Sequence, residues 1–231
     1  MEKAIIYQIF TRLFGNTNTT RKHNGTLTDN GCGKLNAFTP AVLHRIKELG
    51  ATHVWYTGVI RHATTTDYTR YGIPRQHPAV VKGNAGSPYA ITDYYDIDPD
   101  LATNVDKRMN EFESLVKRTH KAGLKMIIDF VPNHVSRQYK SIAKPEGIAD
   151  FGENDNTGMQ FSPQNNFYYC PEQSFAADID LYHGEELPYE EFPAKATGND
   201  CVGNRPGRND WYETVKLNYG MDYCDAGGVS T

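Results

Sequence analysis

The amino-acid sequence predicts an α/β fold built on a parallel sheet, and three observations carry that expectation. Strand-like apolar runs alternate with amphipathic helical runs from Ala4 to Val131. The run Lys125-Met126-Ile127-Ile128-Asp129-Phe130-Val131 is too continuously apolar to be half-exposed, so it reads as a strand covered on both faces. It then delivers Asp129, Asn133 and His134 within six residues, as a parallel strand does when its carboxyl end supplies a site. Pro132 has no N–H for a ladder and stops the strand.

The elements follow in order. Ala4 to Phe10 is short and β-rich, and the Gly/Asn/Thr segment from Gly15 to Gly31 reads as loop. Thr39 precedes Pro40 as a helix cap, after which Val42, Leu43, Ile46 and Leu49 recur at helical spacing until Gly50. His53 to Ile60 is the second strand, followed by an uninterrupted polar stretch to about Pro99, long enough to be a functional loop. A second helix runs from about Asn104 to Lys121, with Met109, Phe112, Leu115 and Val116 on its apolar face, and Gly123 ends it before the strand at Met126. The order β, α, β, α, β belongs to an open doubly wound sheet or to the first part of a β/α barrel. No G-x-G-x-x-G follows a strand, which weighs against the dinucleotide-binding version. Beyond His134 the alternation stops, and Asn, Gly, Pro, Phe and Tyr dominate as far as Asp210 to Tyr219, the composition of an inserted subdomain.

Composition narrows the function. The 231 residues carry a formal net charge of -4 with Lys and Arg scattered singly, so there is no basic stripe for a phosphate backbone and nucleic acid is not an expected partner. No apolar run approaches the roughly twenty residues of a membrane span. Met1-Glu2-Lys3 leads into the first strand without a signal-peptide profile, and the compartment stays open between cytoplasm and export with the signal removed. Cys32, Cys170, Cys201 and Cys224 are widely spaced, which supports neither a zinc site nor a disulfide framework. Fifteen Tyr against two Trp and ten Phe suit a surface that stacks on sugars or other flat hydroxylated ligands.

Asp129-Phe130-Val131-Pro132-Asn133-His134, the insertion behind it, and the segment Tyr89-Ala90-Ile91-Thr92-Asp93-Tyr94-Tyr95-Asp96-Ile97-Asp98-Pro99 together resemble the α-amylase family of glycoside hydrolases, family 13. The resemblance implies a partial TIM barrel: residues 1–134 as its first three β/α units, 135–218 as the inserted domain after the third strand, and 219–231 as a return toward the fourth. It also implies an enzyme acting on α-glucosidic linkages in starch-type or maltooligosaccharide substrates. Tyr89 stands where members stack a ring on the sugar, His134 where an imidazole bonds that sugar's hydroxyl, and Asp129 where a strand-end carboxylate braces the catalytic centre. His62 joins them as a substrate-binding candidate.

In members of the family Asn133 often helps to hold calcium. Here Lys216 falls where an Asp ligand would stand, and its ammonium would repel the metal, so no cofactor is expected. Retaining enzymes of this kind need two carboxyl groups about 5 Å apart. The resemblance places them on later strands, so the chain reads as an inactive amino-terminal fragment without catalytic residues. Its uncovered sheet edges should invite self-association. Two other readings are a carbohydrate-binding module and a metal-dependent hydrolase using Asp129, His134 and His62, although the H-x-H and H-x-x-x-H spacings are absent.

Overall fold

The computed structural model describes residues 3–177, 188–199 and 202–223. Strand β1 (Ile6–Phe10) opens the chain. The segment expected to be all loop contains one helical turn, α1 (Leu27–Asn30), because Thr26 and Asp29 form a reciprocal capping box. Helix α2 (Pro40–Glu48) starts as its sequence requires: the Thr39 hydroxyl accepts from Val42 N at 3.3 Å, and Pro40 occupies the first turn. Leu43 and Ile46 face the core.

Strand β2 (His53–Thr57) is shorter than the expected run to Ile60. Gly58 breaks it with φ +75°, a left-handed turn in which a Cβ would lie 2.8 Å from Pro88. The chain re-emerges as β3 (Ile60–His62), paired antiparallel with β4 (Ile91–Ile97) in a separate two-stranded sheet. The stretch before Pro99 is therefore not uninterrupted loop. Helix α3 (Arg108–Lys121) buries Leu115 and Thr119 and packs Phe112 partly, while Met109 is exposed rather than on the core face. Gly123, at φ +72°, turns the chain into β5 (Lys125–Ile128).

Strands β1, β2 and β5 form a parallel sheet in that order, with Gln8 opposite Trp55 and Trp55 opposite Ile127. Side chains alternate across it. Ile9, Val54 and Tyr56 point toward the helices and join Phe38, Leu43, Ile46, Leu115 and Leu124 in the main core. Each such side chain contributes about 1.5–3 kcal/mol through burial. Phe38 stacks on Phe14 at 4.6 Å and meets Tyr56 edge-on at 4.9 Å, and the Tyr56 hydroxyl is 2.7 Å from Thr119 Oγ1. Burial pushes that phenol's pKa up to about 12. The opposite face, with Ile6, Gln8, Phe10, Trp55 and Ile127, has no helix over it; Ile6 is 53 % exposed and Phe10 39 %. The expected strand covered on both faces is thus covered on one, and the described residues form no closed barrel.

A second lobe begins with β6 (His134–Ser136), so the 134/135 division expected from sequence falls inside a strand. Short β7 (Tyr169–Cys170) pairs with β8 (Ala194–Lys195), and β6 pairs antiparallel with β9 (Thr214–Lys216). Val135, Phe167, Tyr169, Val215 and Leu217 form its core, and Tyr94 and Tyr139 pack against both cores. A buried ionic layer fixes β3 and β4 to this lobe. Asp93 accepts from Arg61 at 3.0 Å, Ser141 Oγ at 2.7 Å and Ile142 N at 2.9 Å, and Arg108 binds Asp96 through two bonds of 2.7 and 2.9 Å. Cys32 is a free thiol, and Cys170 Sγ donates to the Val202 carbonyl at 3.1 Å; Cys201, Cys224 and the end of the segment expected to return toward the fourth strand lie outside the described residues.

Candidate functional site

Asp129 follows β5 directly and emerges on the open face of the sheet, the face that also carries Trp55. Both of its oxygens are engaged: Trp55 Nε1 donates to Oδ1 and Gly58 N to Oδ2, each at 2.7 Å. The left-handed Gly58 thus ends β2 and turns its N–H onto the carboxylate. Charge-assisted bonds of this length hold a carboxylate firmly. Above it, Tyr89 is 41 % exposed and lines an open cleft of about 430 Å³ together with Ile6, Trp55, Ile127, Asp129 and Phe130.

His134 closes the other side of Tyr89. Its ring lies within hydrogen-bonding reach of the Tyr89 backbone, its Nδ1 lies 2.9 Å from Asn133 Oδ1, and its residue pairs with Lys216 across β6 and β9. Burial holds the His134 pKa below 6.5, and the nearby Lys216 ammonium pushes the same way against the Tyr89 bond. A neutral imidazole has one N–H, and the Asn133 amide oxygen, which can only accept, takes that hydrogen bond from Nδ1. The Trp211 ring covers the imidazole at 5.0 Å.

Tyr89, Asp129 and His134 are therefore brought together at the carboxyl ends of the strands, the first two in one cleft and the third behind the Tyr89 backbone. His134 is only 6 % exposed, so it meets the cleft through Tyr89 rather than directly. His62 is placed apart. It is buried with Nδ1 3.1 Å from Asp98 Oδ2, beside a void of about 10 Å³ shared with Tyr68, Gln76 and Thr92. Asp98 is fully buried, which raises its pKa, and the His62 charge opposes that shift. A buried carboxylate with that need draws the imidazole inward, away from any sugar. The same placement keeps His62 from converging with Asp129 and His134 on one metal ion.

The residues do not fit calcium either. Lys216 Nζ points at the Asn199 carbonyl at 3.4 Å and lies 5.2 Å from the centre of the Tyr223 ring, while the Asn133 amide is committed to His134. An ammonium stands where an oxygen ligand would be needed.

Trp55, Gly58 and Trp211 are site residues that sequence reasoning passed over. Trp55 could have been found only from the parallel register that sets it opposite Ile127, two residues before Asp129. Gly58 sits inside the run from His53 to Ile60 that the sequence predicts as one strand. Trp211 lies far from His134 in sequence and carries no periodic signal.

The family model described as Alpha amylase, catalytic domain, matches residues 8–189. The chain is 29% identical over 174 residues to Maltase A2 of Drosophila melanogaster, covering 71% of this chain and 24% of that protein. It is 32% identical over 139 residues to trehalose-6-phosphate hydrolase of Bacillus subtilis (strain 168), covering 60% and 18%. The chain thus spans less than a quarter of the length of either relative. Among solved structures it is similar to an alpha-amylase from Lactobacillus plantarum, with 29% identity, TM-score 0.41, and coverage of 60% of this chain and 24% of that one.

Proposed function

Because the chain belongs to the alpha-amylase catalytic-domain family, we propose that it forms one wall of the sugar cleft in a glycoside hydrolase acting on α-glucosidic linkages, with starch-type or maltooligosaccharide chains as substrates. In this reading the β1-β2-β5 sheet with α2 and α3 is the first three β/α units of a TIM barrel. The residues from about 135 to 218 are the inserted domain that forms the cleft's side. The open apolar face of the sheet supports this, since a barrel fills that face with side chains from its other strands.

The observation that carries the proposal is the joining of Tyr89 and Asp129 in one cleft, with His134 bonded to the Tyr89 backbone. A phenol ring there gives a sugar's apolar face a stacking surface. Asp129, held by Trp55 and Gly58, supplies a fixed negative charge beside it, of the kind that stabilises an oxocarbenium-like transition state. His134 sets the height of Tyr89 above that charge. The nucleophile and the acid are assigned to parts of the longer protein outside these residues, because the nearby carboxylates are committed elsewhere. Asp93 and Asp96 bind arginines, Asp98 binds His62, and Asp100 binds Arg12 and Tyr68.

The test uses the longer protein that contains this chain. It is expected to release sugar from maltooligosaccharides, and Tyr89→Ala should cost about 1–3 kcal/mol in kcat/KM, the scale of a lost aromatic contact. This chain by itself should show no turnover. Hydrolysis of starch by these residues alone, or a Tyr89→Ala enzyme equal to the unmodified one, would contradict the proposal.

A further inference from the structure

The loop after β1 contains two Asn-Gly pairs, Asn24-Gly25 and Asn30-Gly31, and the fold holds them in opposite ways. The Asn30 side-chain amide is locked, because its Oδ1 accepts from Lys22 N at 2.7 Å and its Nδ2 donates to the Lys22 carbonyl at 2.8 Å. The capping box of Thr26 and Asp29, with Lys22 Nζ 3.1 Å from Asp29 Oδ1, braces the same turn. Asn24 stands in contrast. It is exposed at φ +50°, and among the described residues no hydrogen bond holds its side-chain amide. Its backbone carbonyl accepts from Asn84 Nδ2. Asn84 in turn receives Thr65 N on its carbonyl at 3.0 Å and Thr65 Oγ1 on Oδ1 at 2.8 Å, so the Asn24 carbonyl ties the β1 loop to the turn that leads to Tyr89.

An asparagine followed by glycine is open to ring closure, since no Cβ shields the following amide and its backbone turns freely. The two following amides are held alike, Gly25 N by the Lys22 carbonyl at 3.0 Å and Gly31 N by the Leu27 carbonyl at 2.9 Å. The difference therefore lies in the side chain that is attacked. We propose that Asn24 is a site of spontaneous deamidation in the folded chain, and that the fold protects Asn30 from the same reaction. Solvent base takes the Gly25 amide proton, and the nitrogen attacks Asn24 Cγ. The new C–N bond closes a succinimide, while the side-chain nitrogen takes a proton from solvent and leaves as ammonia. Water then adds to one of the two ring carbonyls and breaks its bond to the ring nitrogen, giving an aspartyl or isoaspartyl residue. One water is consumed and one ammonia released. The isoaspartyl product carries an extra main-chain carbon and displaces the carbonyl that Asn84 Nδ2 holds, so the modification also unties the β1 loop from the Asn84 turn.

The test incubates the full 231-residue chain at mildly alkaline pH and follows, by tandem mass spectrometry, the tryptic peptide from His23 to Lys34, which carries both sites. Position 24 should convert first. Asn30 should convert roughly tenfold more slowly or less, because its two bonds to Lys22 must break before its Cγ is free. In urea that unfolds the chain the two positions should convert at similar rates. Asp29→Ala removes the capping box and leaves both amides in place, so it should speed conversion at Asn30 and not at Asn24. In the aged chain the Asn84 side-chain N–H signals should shift, and in Asn24→Gln, whose longer side chain must close a larger ring, they should stay constant over the same time. Equal conversion of the two positions in the folded chain, or an Asn24 that stays intact while the unfolded chain converts, would overturn the site assignment. Conversion at position 24 with the Asn84 signals unmoved would overturn the untying of the loop.

Discussion

Asp129 and His134 are held by opposite means, one as a charge stabilised by donors and the other as a neutral ring kept from protonation. Asp129→Asn would leave one oxygen to accept and turn an NH2 toward the other donor. Losing one of the two 2.7 Å bonds should lower stability by about 1–3 kcal/mol, seen as a lower urea midpoint with unchanged slope. For His134 the sign follows from a folded pKa below 6.5. Its contribution is fully present above pH 6.5, and it is lost as pH falls toward the lower folded value, because the unfolded chain takes the proton first. The stability advantage of the natural chain over His134→Gln should therefore shrink on acidification below 6.5, measured by thermal unfolding against pH. Lys216→Met should raise the His134 pKa in an NMR titration; an unchanged or lower value would show that the ammonium does not act on the ring.

At the scale of elements, the second lobe depends on close approach. Gly198→Ala would place a methyl group 2.3 Å from Thr214 Oγ1 and 2.8 Å from His134 Cβ. It should cost about 1–3 kcal/mol by overpacking, and it should disturb the His134 NMR signals more than those of the main core. Thr39→Ala, by contrast, should cost about 1 kcal/mol through the lost cap and leave the site signals alone. Helix α2 was legible because its cap, its proline and its apolar spacing are local. Strand β4 was not. Its sequence Ile91-Thr-Asp-Tyr-Tyr-Asp-Ile97 buries two carboxylates whose partners, Arg61 and Arg108, lie elsewhere in the chain, so buried charge looked like loop polarity. Gly58 was passed over because an apolar run flanks it on both sides, and only φ distinguishes a break from a continuing strand.

For the whole molecule, the site was legible as far as strand ends are. Asp129 and His134 bracket one strand end in sequence, and Tyr89 came with the motif resemblance. His62 was misplaced because its carboxylate partner, Asp98, is reached only through the antiparallel β3 and β4 pairing. The open sheet face, with Ile6 and Phe10 exposed, should make the chain self-associate. Sedimentation is expected to show a concentration-dependent species that Ile6→Lys suppresses, and a monomer at all concentrations would refute this. The most direct measurement of the cleft itself is the Trp55 indole N–H signal, which reports the bond to Asp129 beneath Tyr89. During titration of the chain with a maltooligosaccharide, that signal should shift saturably and should not respond to a β-linked oligosaccharide of equal length. A Trp55 signal indifferent to both sugars, or moved equally by both, would contradict the assignment of this cleft to α-glucosides.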